Sequence, residues 1–206
     1  MRIKMYEENP SPKNLEKISQ VLKDGGIIVI PTDTVYAFAA DLYNHDAFEK
    51  LCRFKGVKPK EANFSLICKD LSNLSEYTTP LPNHIFRAMK KALPGPFTFI
   101  LNANNNVPKI FKSSKKTIGI RVPDNNIPRA IVELLGNPLV ATSLKDDDDV
   151  VEYLTDPELI EEKYGKQVDL IVDGGYGNNV ASTVVDCTDD EIEIIRAGVG
   201  DVALLV

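Results

Sequence analysis

Hydroxyl and cationic side chains stand at the ends of apolar runs in this chain. Thr32, Asp33 and Thr34 follow the run from Gly26 to Ile30, and Arg121 sits near the end of Thr117 to Val122. Thr142 and Ser143 close the run that starts at Leu139, Ser182 and Thr183 open a later one, and Lys55 follows Phe54. Hydroxyls orient a small ligand by both donating and accepting, while guanidinium and ammonium groups meet carboxylate or phosphate. Taken singly, each of these residues also reads as a turn or cap. Jointly they fit a polar cleft for a small ligand, since in open α/β sheets ligands collect in the crevice at the strand ends, and a family resemblance is needed to give the pattern weight.

The elements that must hold these groups are legible as punctuated apolar segments. Ser11-Pro12 opens a helix with an apolar stripe of Leu15, Ile18 and Leu22, and Gly25 ends it. Gly26 to Ile30 is a short apolar run stopped by Pro31, as in a strand covered on both faces. Helices are predicted over Asp46 to Phe54, Leu71 to Tyr77, Asn83 to Leu93 and Ile127 to Leu135, with another starting at Thr155-Asp156-Pro157. Further strands are predicted over Phe64 to Cys68, Phe97 to Leu101, Thr117 to Val122, Leu139 to Thr142, Val168 to Val172, Thr183 to Asp186 and Ile192 to Ile195. Helices and strands alternate early, but the last strands are too closely spaced for helical crossovers, so the sheet must be mixed. No repeat, linker or composition shift divides the chain, and residues 1–206 read as a single α/β domain.

Several chemistries are excluded or disfavoured. There is no G-x-x-x-x-G-K-[ST] phosphate loop and no G-x-G-x-x-G. His45 and His84, the only histidines, have no partner at ligand spacing and read as surface or helix-start residues. Cys52, Cys68 and Cys187 are scattered and read as buried, inert thiols, and Asp146 to Asp149 reads as an acidic loop without calcium-loop spacing. No metal is expected from protein side chains. A net charge of -6 disfavours broad nucleic-acid binding, since that depends on cations displacing counterions. Any RNA contact would use a local patch, either Lys109, Lys112, Lys115 and Lys116 or Arg53, Lys55, Lys58 and Lys60, and both sets also read as solvated faces. With no long apolar span and no signal-peptide pattern at the start, a soluble cytoplasmic protein is expected.

Longer stretches resemble the YrdC/YciO family of threonylcarbamoyl-AMP synthases and their relatives. Gly25 through Tyr36 looks like the opening strand and P-T-[DE]-T-x-Y turn, and Leu93-Pro94-Gly95-Pro96-Phe97-Thr98 is similar to the P-G-P-x-T segment. Ile118 to Pro123 resembles I-x-x-R-V-P, Leu139 to Ser143 the T-S strand end, Ser182 to Asp186 the S-T-[VI]-x-D run, and Arg196-Ala197-Gly198 the R-x-G element. The resemblance implies a twisted mixed sheet, flanked by helices, with a concave ligand cavity. It implies that ATP, L-threonine and bicarbonate react there to give threonylcarbamoyl-AMP and pyrophosphate, for tRNA threonylcarbamoyladenosine formation. Magnesium is expected with ATP, and tRNA or double-stranded RNA is a possible partner. Carried over by position, Thr34 and Arg121 hold threonine; Lys55, Ser143, Ser182, Thr183 and Arg196 line the nucleotide and phosphate site; and Lys55 and Arg121 serve the chemistry.

The chain departs from the synthase pattern at identifiable positions. The K-x-R run is Lys55-Gly56-Val57 and the S-x-N run is Ser143-Leu144-Lys145, so an arginine and an asparagine are replaced; Ala37 and Ala39 stand where glycines are usual. Lys145, a cation just past a strand end, is read as a partial nucleotide-binding substitute for the arginine. The altered strand end, Asn63-Phe64 and the stretch from Val168 to Tyr176 look more like the YciO branch. The departures favour a second reading beside the synthase: a nucleotide-dependent tRNA- or duplex-RNA-binding, translation-associated factor with little or no turnover.

Overall fold

In the computed structural model, which describes residues 1–111, 116–145 and 153–205, the elements in chain order are β1 (Arg2–Lys4), α1 (Pro12–Lys23), β2 (Ile28–Ile30), β3 (Ala37–Asp41), α2 (His45–Phe54), β4 (Ser65–Ile67), α3 (Asn83–Ala92), β5 (Phe97–Asn102), β6 (Thr117–Arg121), α4 (Asn126–Leu135), β7 (Leu139–Ser143), α5 (Pro157–Tyr164), β8 (Leu170–Asp173), β9 (Thr183–Asp186) and β10 (Glu193–Arg196). One-turn 3-10 helices lie at Pro59–Glu61, Leu74–Glu76, Lys109–Phe111 and Val202–Leu205. The predicted helix over Leu71 to Tyr77 is reduced to one of these. Asp146 to Asp149, Lys112 and Lys115 lie outside the described residues.

Helix ends follow the local chemistry. Pro12 occupies the first turn of α1, where a missing N–H costs nothing, and Gly25 adopts φ +80°, a left-handed turn that redirects the chain into β2. Asn44, Asn125 and Asp156 cap α2, α4 and α5 by accepting from the Ala47, Ile127 and Glu158 N–H groups. These caps fix the strand-to-helix turns next to the strand ends.

The strands form one ten-stranded sheet in the order β1-β8-β2-β3-β7-β4-β6-β5-β9-β10. Four pairs are parallel (β1 with β8, β2 with β8, β4 with β6, β5 with β9) and five antiparallel (β2 with β3, β3 with β7, β4 with β7, β5 with β6, β9 with β10), so the sheet is mixed. Its two faces carry different cores. On one, Ile18 and Leu22 of α1 and Ile127, Ile131 and Leu135 of α4 pack over Ile28, Ile30, Ala37, Ala39, Ala141 and Ile67. On the other, α2, α3 and α5 pack over Val29, Phe38, Leu66, Val140, Ile120 and Phe99. Period-two alternation therefore puts Ser65 with Ile67 on the α1 and α4 face, and the register carries Gly119 and Arg121 with them. On this face β4, β6, β5 and β9 present short or polar side chains beside the helices, and a cavity opens there.

Candidate functional site

The buried polar centre is Arg121, at the last residue of β6. One guanidinium nitrogen, Nη2, donates to Asp33 Oδ1 at 2.9 Å and to Thr34 Oγ1 at 2.9 Å. Asp33 Oδ2 accepts from the Asp124 N–H at 3.1 Å, and the Thr32 and Thr34 hydroxyls lie 3.1 Å apart. Burial pushes the Asp33 carboxyl above the usual carboxylate range, and the Arg121 guanidinium and the backbone N–H of Asp124 pull it back. The same burial lowers Arg121; Asp33 opposes it, and the charge of Arg196 adds to the lowering. A guanidinium stays protonated regardless. Arg121 lines the cavity, and its Nε is buried with no hydrogen-bond partner among the described residues.

The cavity, about 260 Å³, is lined by strand residues in register. Ser65, Gly119 and Ile100 lie abreast on β4, β6 and β5 and form its floor. Thr98 on β5 shares a hydrogen bond of 2.8 Å with Ser182 Oγ, which is buried at the start of β9. Arg196 reaches back from the edge strand β10 and donates to the Ser182 carbonyl from Nε at 3.2 Å and Nη2 at 2.8 Å. Ser143 lies across the floor, and its carbonyl accepts from Lys55 Nζ at 3.3 Å; that ammonium sits 5.8 Å from the Phe38 ring. Two arginines line one small cavity with hydroxyl groups, and guanidinium groups there can meet a carboxylate or phosphate.

The structure places some sequence-predicted residues together and others apart. Arg121, Ser143, Ser182 and Arg196 line the cavity, and Lys55 touches its rim through Ser143. Thr34 does not line it. Fully buried, its hydroxyl is committed to Arg121 and Thr32, so it orients the arginine. Thr183 is likewise fully buried on the opposite side of β9 from Ser182; it accepts from the Gly198 N–H at 2.9 Å and donates to the Gly200 carbonyl at 2.8 Å. Its place is under the Arg196 turn, and it is not among the residues that line the cavity. Lys145 lies on an exposed stretch past β7, paired through its backbone with Tyr153 and absent from the described cavity lining. Val57 is half-buried against the core, so the arginine's position in K-x-R is taken by a packed apolar residue.

Sequence reasoning missed Ser65, Thr98, Gly119 and Ile100. Ser65 opens the three-residue β4 and the other three lie within strands, and only the register brings Ser65, Gly119 and Ile100 abreast. Among the described residues no group of three His, Cys, Asp or Glu side chains converges on one point, and no helix is long and apolar enough to cross a membrane.

Fold and site together define a class: α/β proteins with a mixed, helix-flanked sheet and an arginine-bearing cavity on one face. Residues 20–198 match the Sua5/YciO/YrdC family model, described as telomere recombination. YciO of Escherichia coli K12 is 41% identical over 200 residues, covering 96% of this chain and 95% of that protein; its crystal structure superposes with a TM-score of 0.92 over 100% of this chain and 99% of that one. A Bacillus subtilis threonylcarbamoyl-AMP synthase is 29% identical over 93% of this chain but only 55% of its own length. The Pyrococcus abyssi Sua5 complexed with L-threonine, 22% identical, shares the fold with a TM-score of 0.85 over 96% of this chain and 57% of that one. The chain belongs to the Sua5/YciO/YrdC family, whose characterised members include threonylcarbamoyl-AMP synthases, and its match is to the YciO branch.

Proposed function

We propose that the cavity binds ATP and L-threonine and, with bicarbonate, forms threonylcarbamoyl-AMP and pyrophosphate for tRNA threonylcarbamoyladenosine synthesis. The observation that carries this reading is one cavity lined by both Arg121 and Arg196 together with the hydroxyls of Ser143 and Ser182. In this reading Arg121 receives the amino-acid carboxylate, held in place by Asp33 and Thr34, and its charge needs no proton transfer to act. Arg196 and Lys55 face the phosphates, where fixed cations favour the charge that develops as pyrophosphate leaves. At about 260 Å³ the enclosed part is below the usual size of a drug-sized ligand site, so it suits the amino-acid moiety, and the nucleotide extends towards the rim. Magnesium enters on the triphosphate, as it does where phosphates supply most of its ligands. The test is ATP, L-threonine, bicarbonate and magnesium with pure protein, measuring the adenylate and pyrophosphate. Product above a no-enzyme control supports the reading; none, with folded protein, rejects it.

A second reading, a nucleotide-dependent RNA-binding factor with little turnover, is favoured by Val57, which packs into the core where the synthase pattern has an arginine. It also draws on a convergence the sequence left open. The turns Pro59–Glu61 and Lys109–Phe111 pack against each other beside the cavity, so the two basic stretches around Lys58 and Lys60 and around Lys109 meet at one rim. Charge reversal at Lys58, Lys60 and Lys109 together is expected to abolish duplex-RNA binding, and wild-type affinity should fall steeply between 50 and roughly 200 mM salt in a filter or polarisation assay. RNA binding indifferent to both changes removes this rim from the reading.

A further inference from the structure

The two edges of the sheet differ in how they meet solvent. An edge strand offers unpaired backbone groups to any strand that fits, and chains blunt such edges with charge or a covering segment. At one edge β1 is blunted in this way. Arg2 and Lys4 flank Ile3, both ion-paired with Asp173, and Asn14 Nδ2 donates to the Lys4 carbonyl at 3.2 Å. Antiparallel pairing of β1 with its own copy about Ile3 would set Arg2 against Lys4, a like-charge contact that disfavours the ladder. At the other edge stands β10, all four of its residues exposed, with Ile194 and Ile195 at its middle at 47% and 53%. Its pairing with β9 sets Glu193 beside Asp186, Ile194 beside Val185 and Arg196 beside Val184, with a bulge at Ile195. Residues three apart in a regular strand point to opposite faces; the extra residue returns Glu193 and Arg196 to one face, the face on which Val184 lines the cavity. Glu193 has a carboxylate as its cross-strand neighbour and no ion pair among the described residues. Arg196 uses Nε and Nη2 on Ser182, and its Nη1 makes no hydrogen bond among the described residues.

We infer that β10 pairs edge to edge and antiparallel with β10 of a second copy of this chain, continuing the sheet across a two-fold axis that passes between Ile194 and Ile195. The run Glu-Ile-Ile-Arg is complementary to itself in that register: each Glu193 lies across from Arg196 of the other copy, and each Ile194 across from Ile195. Opposite charges and β-branched side chains directly across an antiparallel pair favour the ladder, and two-fold symmetry makes each contact twice. Because the bulge has put Glu193 and Arg196 on one face, both charge pairs form on the cavity side of the sheet. Arg196 lines the cavity, so the partner's Glu193 stands at its rim. A four-residue ladder buries less than the roughly 1,200 Å² of stable interfaces, so a weak dimer is expected, with a dissociation constant on the order of 10 μM.

Sedimentation of the full chain from about 1 to 300 μM tests the assignment, since mass action drives monomer to dimer across that range. Melting temperature is followed for each variant to confirm folding. Ile195→Lys sets two ammonium groups beside the two-fold axis and should raise the dissociation constant by about 10-fold or more. Glu193→Arg sets arginine against arginine twice, and Arg196→Glu sets glutamate against glutamate twice, so each alone should stay monomeric. An equimolar mixture of these two variants should form a heterodimer, because both contacts again join opposite charges. Where Arg196→Glu fails to fold, Glu193→Arg and Ile195→Lys, at exposed positions, decide the matter by themselves. Wild-type protein that stays monomeric throughout overturns the inference, whatever other strand β10 accepts. A dimer that folded Glu193→Arg and Ile195→Lys both leave intact overturns it equally, since its interface lies elsewhere.

Discussion

Arg121 illustrates how much a single buried cation asks of its neighbours. An unpaired guanidinium at this depth would be costly, and the chain answers with Asp33 and the Thr34 hydroxyl, which Thr32 Oγ1 in the same turn holds in place. Thr34 is therefore informative to replace. Thr34→Val keeps the volume but removes one acceptor from Nη2, and is expected to cost about 1–3 kcal/mol in urea unfolding. L-threonine affinity should fall with it while ATP affinity holds, as read by calorimetry with each ligand separately. Arg121→Lys tests the arginine itself: a point charge cannot serve both the Asp33 pair and a carboxylate, so threonine affinity should drop by roughly 10- to 150-fold, the equivalent of 1.5–3 kcal/mol for one charge-assisted bond. At this scale the sequence made the cations legible and hid the floor. Arginine at the end of an apolar run draws notice because charge is conspicuous there. Gly119 and Ser65 carry no such signal, since their meaning is the space they leave beside each other.

The elements were read with uneven success, for reasons that lie in their composition. The helix at Pro12–Lys23 and the strand at Thr183–Asp186 follow the expected patterns because proline, glycine and β-branched residues mark them plainly. No reading of the sequence anticipated β3, whose Ala-Phe-Ala-Ala-Asp has weak strand preference, yet it pairs with β2 and β7 near the centre of the sheet. Tertiary pairing on both sides outweighs local propensity there. The small side chains at Ala37 and Ala39 also let α1 and α4 sit close to this part of the sheet. The β9 to β10 unit shows the converse, a strand read from the sequence whose alternation was not: alternation turns Thr183 away from Ser182 and under the Arg196 turn. Thr183→Val removes the hydroxyl that accepts from Gly198 and donates to Gly200. It should loosen that turn and lower stability by about 1–3 kcal/mol, and on the proposed synthase reading it should weaken ATP binding, with threonine affinity unchanged in calorimetry. Equal losses for both ligands would indicate general unfolding instead of a loosened Arg196.

At the scale of the whole molecule, the sheet separates two packed faces and leaves the cavity where one of them runs out of helix, so the same burial that holds the fold together also sets its response to pH. Cys52, Cys68 and Cys187 are free and buried at 1%, 7% and 3% exposure. Burial pushes the Cys52 thiol up to about 11 and the Cys68 and Cys187 thiols up to about 12. It also raises the Tyr36 and Tyr77 phenols, Tyr36 being pinned by donating to the Gly175 carbonyl at 2.6 Å. Between about pH 8.5, where a thiol of the unfolded chain ionises, and these raised values, the native state keeps protons that the unfolded state has lost. The unfolded state then binds fewer protons, so stability falls as pH rises, by about 1.4 kcal/mol per pH unit for each thiol held protonated. Urea midpoints should accordingly be nearly flat from pH 7 to 8 and decline from about pH 9 upwards. Replacing Cys68 and Cys187 by alanine should shallow that alkaline slope, even though the cavities left behind lower stability at pH 7. A thiol reagent at pH 8 should label the native protein slowly and the urea-unfolded chain at once. Rapid labelling of folded protein, or an alkaline slope untouched by the double replacement, would show that these thiols are open to solvent and do not govern the pH response.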